Sequence, residues 1–236
     1  MKTFFLILML IVSQTLAAQV AELDYTVSYS FVKCADIKVK ISDCQDYIKV
    51  FAVGKSCGLA NFFFNVDEKY DCYIDKKNNY LPIKIEKVST TNDSIKYINL
   101  VFDRYNNTVT NSIIGTYNIS PDTYDFLSGL LLIARDDFFN NTDERKLNIF
   151  FDNSPCVLHV KYCDDKVVND VDCKKLELKI TKTASDAKNK KFISLITTNS
   201  THYVYVTKSQ PSVLVYAKIN LVVGSLKIEL RQPIMH

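Results

Sequence analysis

Histidine is scarce in this 236-residue chain, with His159, His202 and His236 making up the whole supply. None stands in an H-E-x-x-H, an H-x-H or a paired Cys/His spacing, so no metal site is expected. His159 falls mid-strand, His202 beside a turn and His236 at the terminus. No C-x-x-C occurs, which argues against a thioredoxin-type redox motif and a four-cysteine zinc site. The chain also lacks a G-x-S-x-G elbow and a Gly-rich phosphate loop. Its adjacent carboxylates, Asp136-Asp137 and Asp164-Asp165, fall at a helix end and a turn. Acid–base catalysis needs carboxyls converging in a cleft, so no catalytic residue and no cofactor are expected. Glycine and proline number five each, and no linker or internal repeat divides the chain. Charges of both signs are interspersed, as in Asp67-Glu68-Lys69 and Asp143-Glu144-Arg145-Lys146, for a net +3. A nucleic-acid binder carries a basic stripe; without one, no nucleic-acid partner is expected.

Long apolar runs are absent too, except at the start. Phe4 to Val12 is unbroken apolar sequence after Met1-Lys2, and Thr15-Leu16-Ala17 fits a small-x-small cleavage site. A core this short suits a signal peptide, whereas a membrane span needs about 20 residues. The competing reading is an uncleaved N-terminal anchor helix. No cysteine is placed for a lipoprotein anchor, and the later run Leu127 to Ala134 is too short to span. The expectation is a signal peptide over residues 1–18 and a single β-rich domain over 19–236. That product is exported without a transmembrane anchor, to the periplasm in a Gram-negative cell and otherwise secreted.

All seven cysteines lie in that exported part, where the compartment is oxidising and disulfides are expected. Residues 155–163 and 171–180 read as strands joined by the polar Asp164 to Asp170 turn. Antiparallel pairing puts Cys163 and Cys173 on one face with His159, Lys161, Lys175 and Glu177. Direct opposition would set Lys161 against Lys175, which counts against it. By proximity Cys34 with Cys44 and Cys57 with Cys72 are the next candidates. Cys156 is then the odd thiol, either a small buried apolar residue or a reactive one. Sequons at Asn92, Asn106, Asn140 and Asn199 matter only in a glycosylating host.

What the chain has in abundance is valine, isoleucine, threonine, tyrosine and phenylalanine, residues that suit a pleated, half-buried surface. Strands are expected at Asp24–Val32, Ile37–Ile41, Tyr47–Val53, Val66–Ile74, Ile83–Val88 and Ile95–Phe102, separated by polar turns. They resume at Leu147–Phe151, Val157–Tyr162, Leu176–Ile180 and Phe192–Thr197, and the chain closes with Tyr203–Thr207, Val213–Ile219 and Leu226–Leu230. Ser120-Pro121-Asp122 has the composition of a helix start. Tyr124, Leu127, Leu131, Ala134 and Phe138 then recur at helical spacing, so a helix is expected over about 121–137. The fold class is mainly β: a curved antiparallel sheet, half-barrel or barrel-like, with this one amphipathic helix on its concave side.

Several short motifs recur in an ordered way. They are Val32-Lys33-Cys34-Ala35-Asp36, then Gly58-Leu59-Ala60-Asn61-Phe62-Phe63, then Tyr73-Ile74-Asp75 with Leu81-Pro82. Tyr117 to Arg135, Tyr205-Val206-Thr207 and Val223 to Leu230 complete the set. Their order and spacing resemble the bacterial exported family named domain of unknown function 3108, over nearly the whole exported part. The chain departs from that pattern in its cysteine count and in having no tryptophan. The resemblance implies an exported β-rich fold and no particular reaction.

The candidate ligand or partner residues are Phe62, Phe63, Phe64, Tyr124, Leu127, Leu131 and Arg135. The phenylalanine run is either core at a turn or an exposed apolar lip. Arg135 either holds an anionic head group at a cavity mouth, or pairs with a nearby acid or simply snorkels from the helix end. The leading functional expectation is a non-catalytic binder of a lipid, another apolar small molecule or an envelope component, between helix and sheet. An envelope assembly or protein-interaction role is second, and a hydrolase-type enzyme third.

Overall fold

The computed structural model describes residues 18–58, 65–91, 94–139, 142–151, 153–183, 200–209 and 212–231. The expected leader up to residue 17, Phe62, Phe63 and Phe64, and the strand expected at 192–197 lie outside the described residues. Alternating apolar and polar side chains build the strands, since successive residues face opposite sides of a sheet. In the first half these are β1 (Ala18–Tyr29), β2 (Val32–Asp43), β3 (Tyr47–Ser56), β4 (Val66–Asp75), β5 (Pro82–Thr91), β6 (Ser94–Asp103), β7 (Thr108–Asn111) and β8 (Gly115–Asn118). The second half supplies β9 (Tyr124–Asp125), β10 (Glu144–Phe151), β11 (Ser154–Val168), β12 (Val171–Lys182), β13 (Thr201–Thr207), β14 (Leu214–Asn220) and β15 (Ser225–Leu230). Among the described residues, one helix, α1 (Phe126–Ala134), and a 3-10 turn at Asp136–Phe139 interrupt the strands.

All these strands join one sheet, in the order β8 to β1 followed by β15 down to β9. Sequential hairpins make up most of it, and the β1–β15 pair, from Tyr25 opposite Leu230 to Tyr29 opposite Leu226, ties the two halves together. The sheet curls until its edges approach. Tyr117 on β8 and Phe150 on β10 have ring centroids 5.5 Å apart, and the Asn111 side-chain amide donates to Asn153 Oδ1 at 2.9 Å.

Two hairpins turn where the sequence pattern did not place them. Ser30 adopts φ 56°, so β1 ends at Tyr29 rather than continuing to Val32. Asn169 and Asp170 are both left-handed, at φ 50° and 62°, a two-residue turn whose twist matches its flanking strands. β11 therefore runs on through Val168, over the stretch expected to be a loop. The short strands β7 and β8 were not anticipated at all.

The helix is also shorter than expected. Tyr124 and Asp125 pair with Ile149 and Phe150 of β10 in a parallel bridge, and this tertiary pairing overrides the local helix signal at Ser120-Pro121-Asp122. Asp125 is the actual N-cap: its carboxylate accepts from the Leu127 and Ser128 amides at 2.8 and 3.3 Å. Ser128 completes a capping box by accepting the Asp125 amide at 3.1 Å. At the other end Arg135 has extended backbone, with ψ 149°, which stops the helix. The curl places α1 between two apolar clusters. Leu132, Ile133 and Ala134 join the core under β10 to β14, while Leu127 and Leu131 pack with Ile74, Ile85, Phe102 and Val109 under β4 to β7.

Candidate functional site

α1 packs against β4, β9 and β10, and Ile133 of the helix, Ile74 of β4 and Ile149 of β10 are all at 0 % exposure. The middle of the sheet is different. On β15, β1, β2 and β3 the register lines up Leu230, Tyr25, Ile37 and Gly54 in one row. The next row along β1, β2, β3 and β4 is Leu23, Val39, Ala52 and Tyr70. Leu23 and Tyr25 are buried, yet Ile37, Val39, Ile41, Ile228 and Leu230 remain half-buried around them. Among the described residues, no helix residue belongs to this cluster. The floor at β3 is made of the small residues Ala52 and Gly54. Among the described residues, a Cβ added at Gly54 would meet only Ile37 Cγ1, at 3.8 Å.

These residues form a half-buried apolar strip of the sheet beside the helix, here termed the trough. Its polar groups are few: Tyr25 donates its hydroxyl to the Leu214 carbonyl at 3.0 Å, and burial pushes that phenol above its ordinary range. At such a surface the main favourable free energy open to an apolar molecule is the area removed from water.

The residues proposed from sequence separate on this scaffold. Tyr124 is buried in β9, its hydroxyl accepting from the Asn79 amide and donating to the Asn79 carbonyl, both at 3.0 Å. Leu127 and Leu131 are half-buried core packing on the β4 to β7 side. Arg135 grips Asp137 with two parallel bonds, at 2.9 and 2.6 Å, and stacks its guanidinium over Tyr80 at 4.8 Å. It is the ion-paired helix end.

A second concavity lies on the outer face of β10 to β12, a cleft of about 430 Å³ lined by Glu144, Lys146, His159, Lys161, Lys179 and Thr181 among others. Lys146, His159 and Lys179 stand directly opposite one another across three strands. Lys161 takes up Glu144 at 3.4 Å, and His159 Nε2 shares a hydrogen bond of 3.0 Å with Thr181 Oγ1. Burial, then the Lys146 and Lys179 ammonium groups, lower the His159 pKa from its ordinary value. Among the described residues no group of three His, Cys, Asp or Glu side chains is arranged to hold a metal.

The family model for proteins of unknown function described as DUF3108 matches residues 24–231. The chain belongs to this family. No curated protein matches it. Among solved structures, the crystal structure of a beta-barrel-like protein of domain of unknown function DUF1849 from Brucella abortus is similar to it. That likeness has a TM-score of 0.62 at 9 % identity and covers 94 % of this chain and 99 % of the other. At that identity it speaks to the fold alone, and it supports a mainly β, barrel-like architecture.

Within this DUF3108 fold the cysteines do not sit as proximity suggested. Cys34 and Cys44 are at opposite ends of β2, roughly 30 Å apart at the strand rise. Cys72 faces Val50 on β3, so Cys57, beyond the far end of β3, is roughly 20 Å from it. Cys173 faces Lys166, and Cys163 is at the irregularity between Tyr162 and Asp164. That irregularity also brings Glu177 opposite Lys161, so the expected clash with Lys175 does not arise. The described cysteines are free thiols. Cys34 and Cys57 are nevertheless cross-strand neighbours, the Cys57 amide donating to the Cys34 carbonyl at 2.9 Å.

Sequence reasoning missed one buried network. Asp125 accepts from Tyr70 Oη at 3.2 Å and from Cys72 Sγ at 3.4 Å, in addition to its capping bonds. Burial first, then Asp125, push both the Tyr70 phenol and the Cys72 thiol well above their usual ranges. An inert, protonated thiol in this position pins the helix start to β4 rather than performing chemistry. Tyr70 and Cys72 alternate with polar neighbours on β4, the one signal that marked them as inward-facing.

Proposed function

We propose that this DUF3108 chain is an exported, non-catalytic binding protein that holds an apolar ligand, such as a lipid acyl chain, in the trough of β15, β1, β2 and β3. The observation that carries this reading is the cluster around Leu23 and Tyr25, to which no helix residue belongs among the described residues and in which Ile37, Val39, Ile41, Ile228 and Leu230 remain half-buried. Burying a side chain of this kind is worth about 1.5–3 kcal/mol, so a sheet that leaves several half-open gains by covering them with a ligand. Export supplies a compartment where Cys34 and Cys57 close as a disulfide. Two thiols then lose two protons and two electrons to a low-molecular-weight disulfide such as oxidised glutathione.

The test is native mass spectrometry and lipid extraction of chain recovered from the exporting host, compared with Gly54→Phe, which fills the trough floor. The expected result is a copurifying apolar molecule on the native protein that is lost from Gly54→Phe at unchanged circular dichroism. Equal occupancy of both proteins, or none on either together with no uptake of added fatty acid, would sink the trough reading.

A further inference from the structure

At the end of the sheet where β1 turns into β2, two hairpin tips are locked together. Tyr29 donates its hydroxyl to the Val223 carbonyl at 3.2 Å, and the Ser30 amide donates to Ser225. Gly224, at φ +73°, allows the approach: a Cβ there would lie 2.7 Å from the Tyr29 hydroxyl oxygen. The joined tips nonetheless present Phe31 at 94 %, Val32 at 50 %, Val222 at 69 % and Val223 at 73 % exposure. Lys227 rests its ammonium over the Phe31 ring at 5.3 Å.

We propose that these tips dock the protein onto a phospholipid bilayer bearing anionic head groups, with the apolar side chains entering the interfacial zone. Charge supports this occupant. From Thr26 to Ala35 and from Leu214 to Ile228 the two hairpins contain no aspartate or glutamate; Lys33 pairs with Asp36 at 2.9 Å, just beyond the tip, which leaves Lys218 and Lys227 as the cations that favour an anionic surface. Shallow insertion of a few aromatic and aliphatic tips beside lysines is sufficient for a membrane surface. Tyr29, with an apolar ring and a polar hydroxyl at the base of the tip, suits the head-group level. A rigid pair of tips also loses little conformational freedom on docking.

The experiment is vesicle co-sedimentation of chain recovered from the exporting host, its N-terminus defined by intact mass. Phosphatidylcholine vesicles are compared with vesicles that also contain phosphatidylglycerol. The expected result is salt-sensitive binding that prefers the anionic vesicles. Phe31→Ser should weaken it by about tenfold or more, and Lys227→Glu should remove most of the anionic preference, both with unchanged thermal melts. Gly54→Phe should bind vesicles as the native chain does, because docking is independent of the trough and each idea can fail alone. Absence of native binding, or equal binding by Phe31→Ser, overturns the proposal. Self-association that Phe31→Ser dissolves, without vesicle binding, overturns it too and assigns the tips to a second copy of the chain.

Discussion

Replacing Asp125 with alanine tests whether one buried carboxylate anchors α1 against the curled sheet. The side chain is 2 % exposed and accepts four bonds: from the Leu127 and Ser128 amides, from Tyr70 Oη and from Cys72 Sγ. Loss of an N-cap costs about 0.5–2 kcal/mol. The Tyr70 hydroxyl, left buried without an acceptor, adds about 1–3 kcal/mol, while the thiol is a weak donor and adds little. The expected destabilisation of Asp125→Ala is thus about 2–4 kcal/mol, read as a lower urea midpoint at an unchanged denaturant slope. For a chain of this size that corresponds to a melting temperature lower by roughly 4–16 °C. Asn retains a capping oxygen, so Asp125→Asn should recover about half of the loss. Tyr70→Phe provides the internal check. Alone it should cost about 1 kcal/mol, and in the Asp125→Ala background close to nothing or a slight gain, because no unpaired hydroxyl remains. A loss below about 0.5 kcal/mol for Asp125→Ala, or strictly additive costs for the pair, would refute the anchoring role.

Gly54→Ala should stabilise the protein by about 0.4–1 kcal/mol, since Gly54 has an ordinary strand conformation and, among the described residues, only Ile37 Cγ1 nearby, at 3.8 Å; a loss of stability on urea titration would mean that the trough floor is not open there. His159 should make stability rise with pH. Its folded pKa lies below 6.5, so the stability of the neutral ring is complete above that value and is lost as pH falls through the folded one. His159→Gln should flatten that slope in pH-dependent urea midpoints, and an NMR-titrated pKa of 6.5 or above would contradict it. On oxidation with glutathione disulfide, peptide mapping should find Cys34 linked to Cys57; a Cys34–Cys44 or Cys57–Cys72 link would contradict the strand register.

The β character and most strands were legible because half-buried strands write an alternating pattern, as in Ile37, Val39 and Ile41 of β2. The helix was legible in its centre, where Leu127 and Leu131 repeat at helical spacing, but not at its start. Ser120-Pro121-Asp122 has better local capping chemistry than Tyr124-Asp125-Phe126, and only the pairing of Tyr124 and Asp125 with β10 moves the cap. Arg135 was legible as a charged helix end, while its partner Asp137 and its stacking on Tyr80 depend on the fold around it.

Sequence alone thus determined the composition of each strand face, the presence of one apolar helix and the membership of a family, because these follow from local periodicity and ordered motifs. Tertiary structure decided the rest. Register set Cys34 against Cys57 and Lys146 against His159 and Lys179, since a shift of one residue along a strand exchanges its two faces. The landing place of α1 decided which apolar side chains are sealed and which remain half-open. An apolar side chain is written identically in either case, and only its distant neighbours determine whether it is core or binding surface.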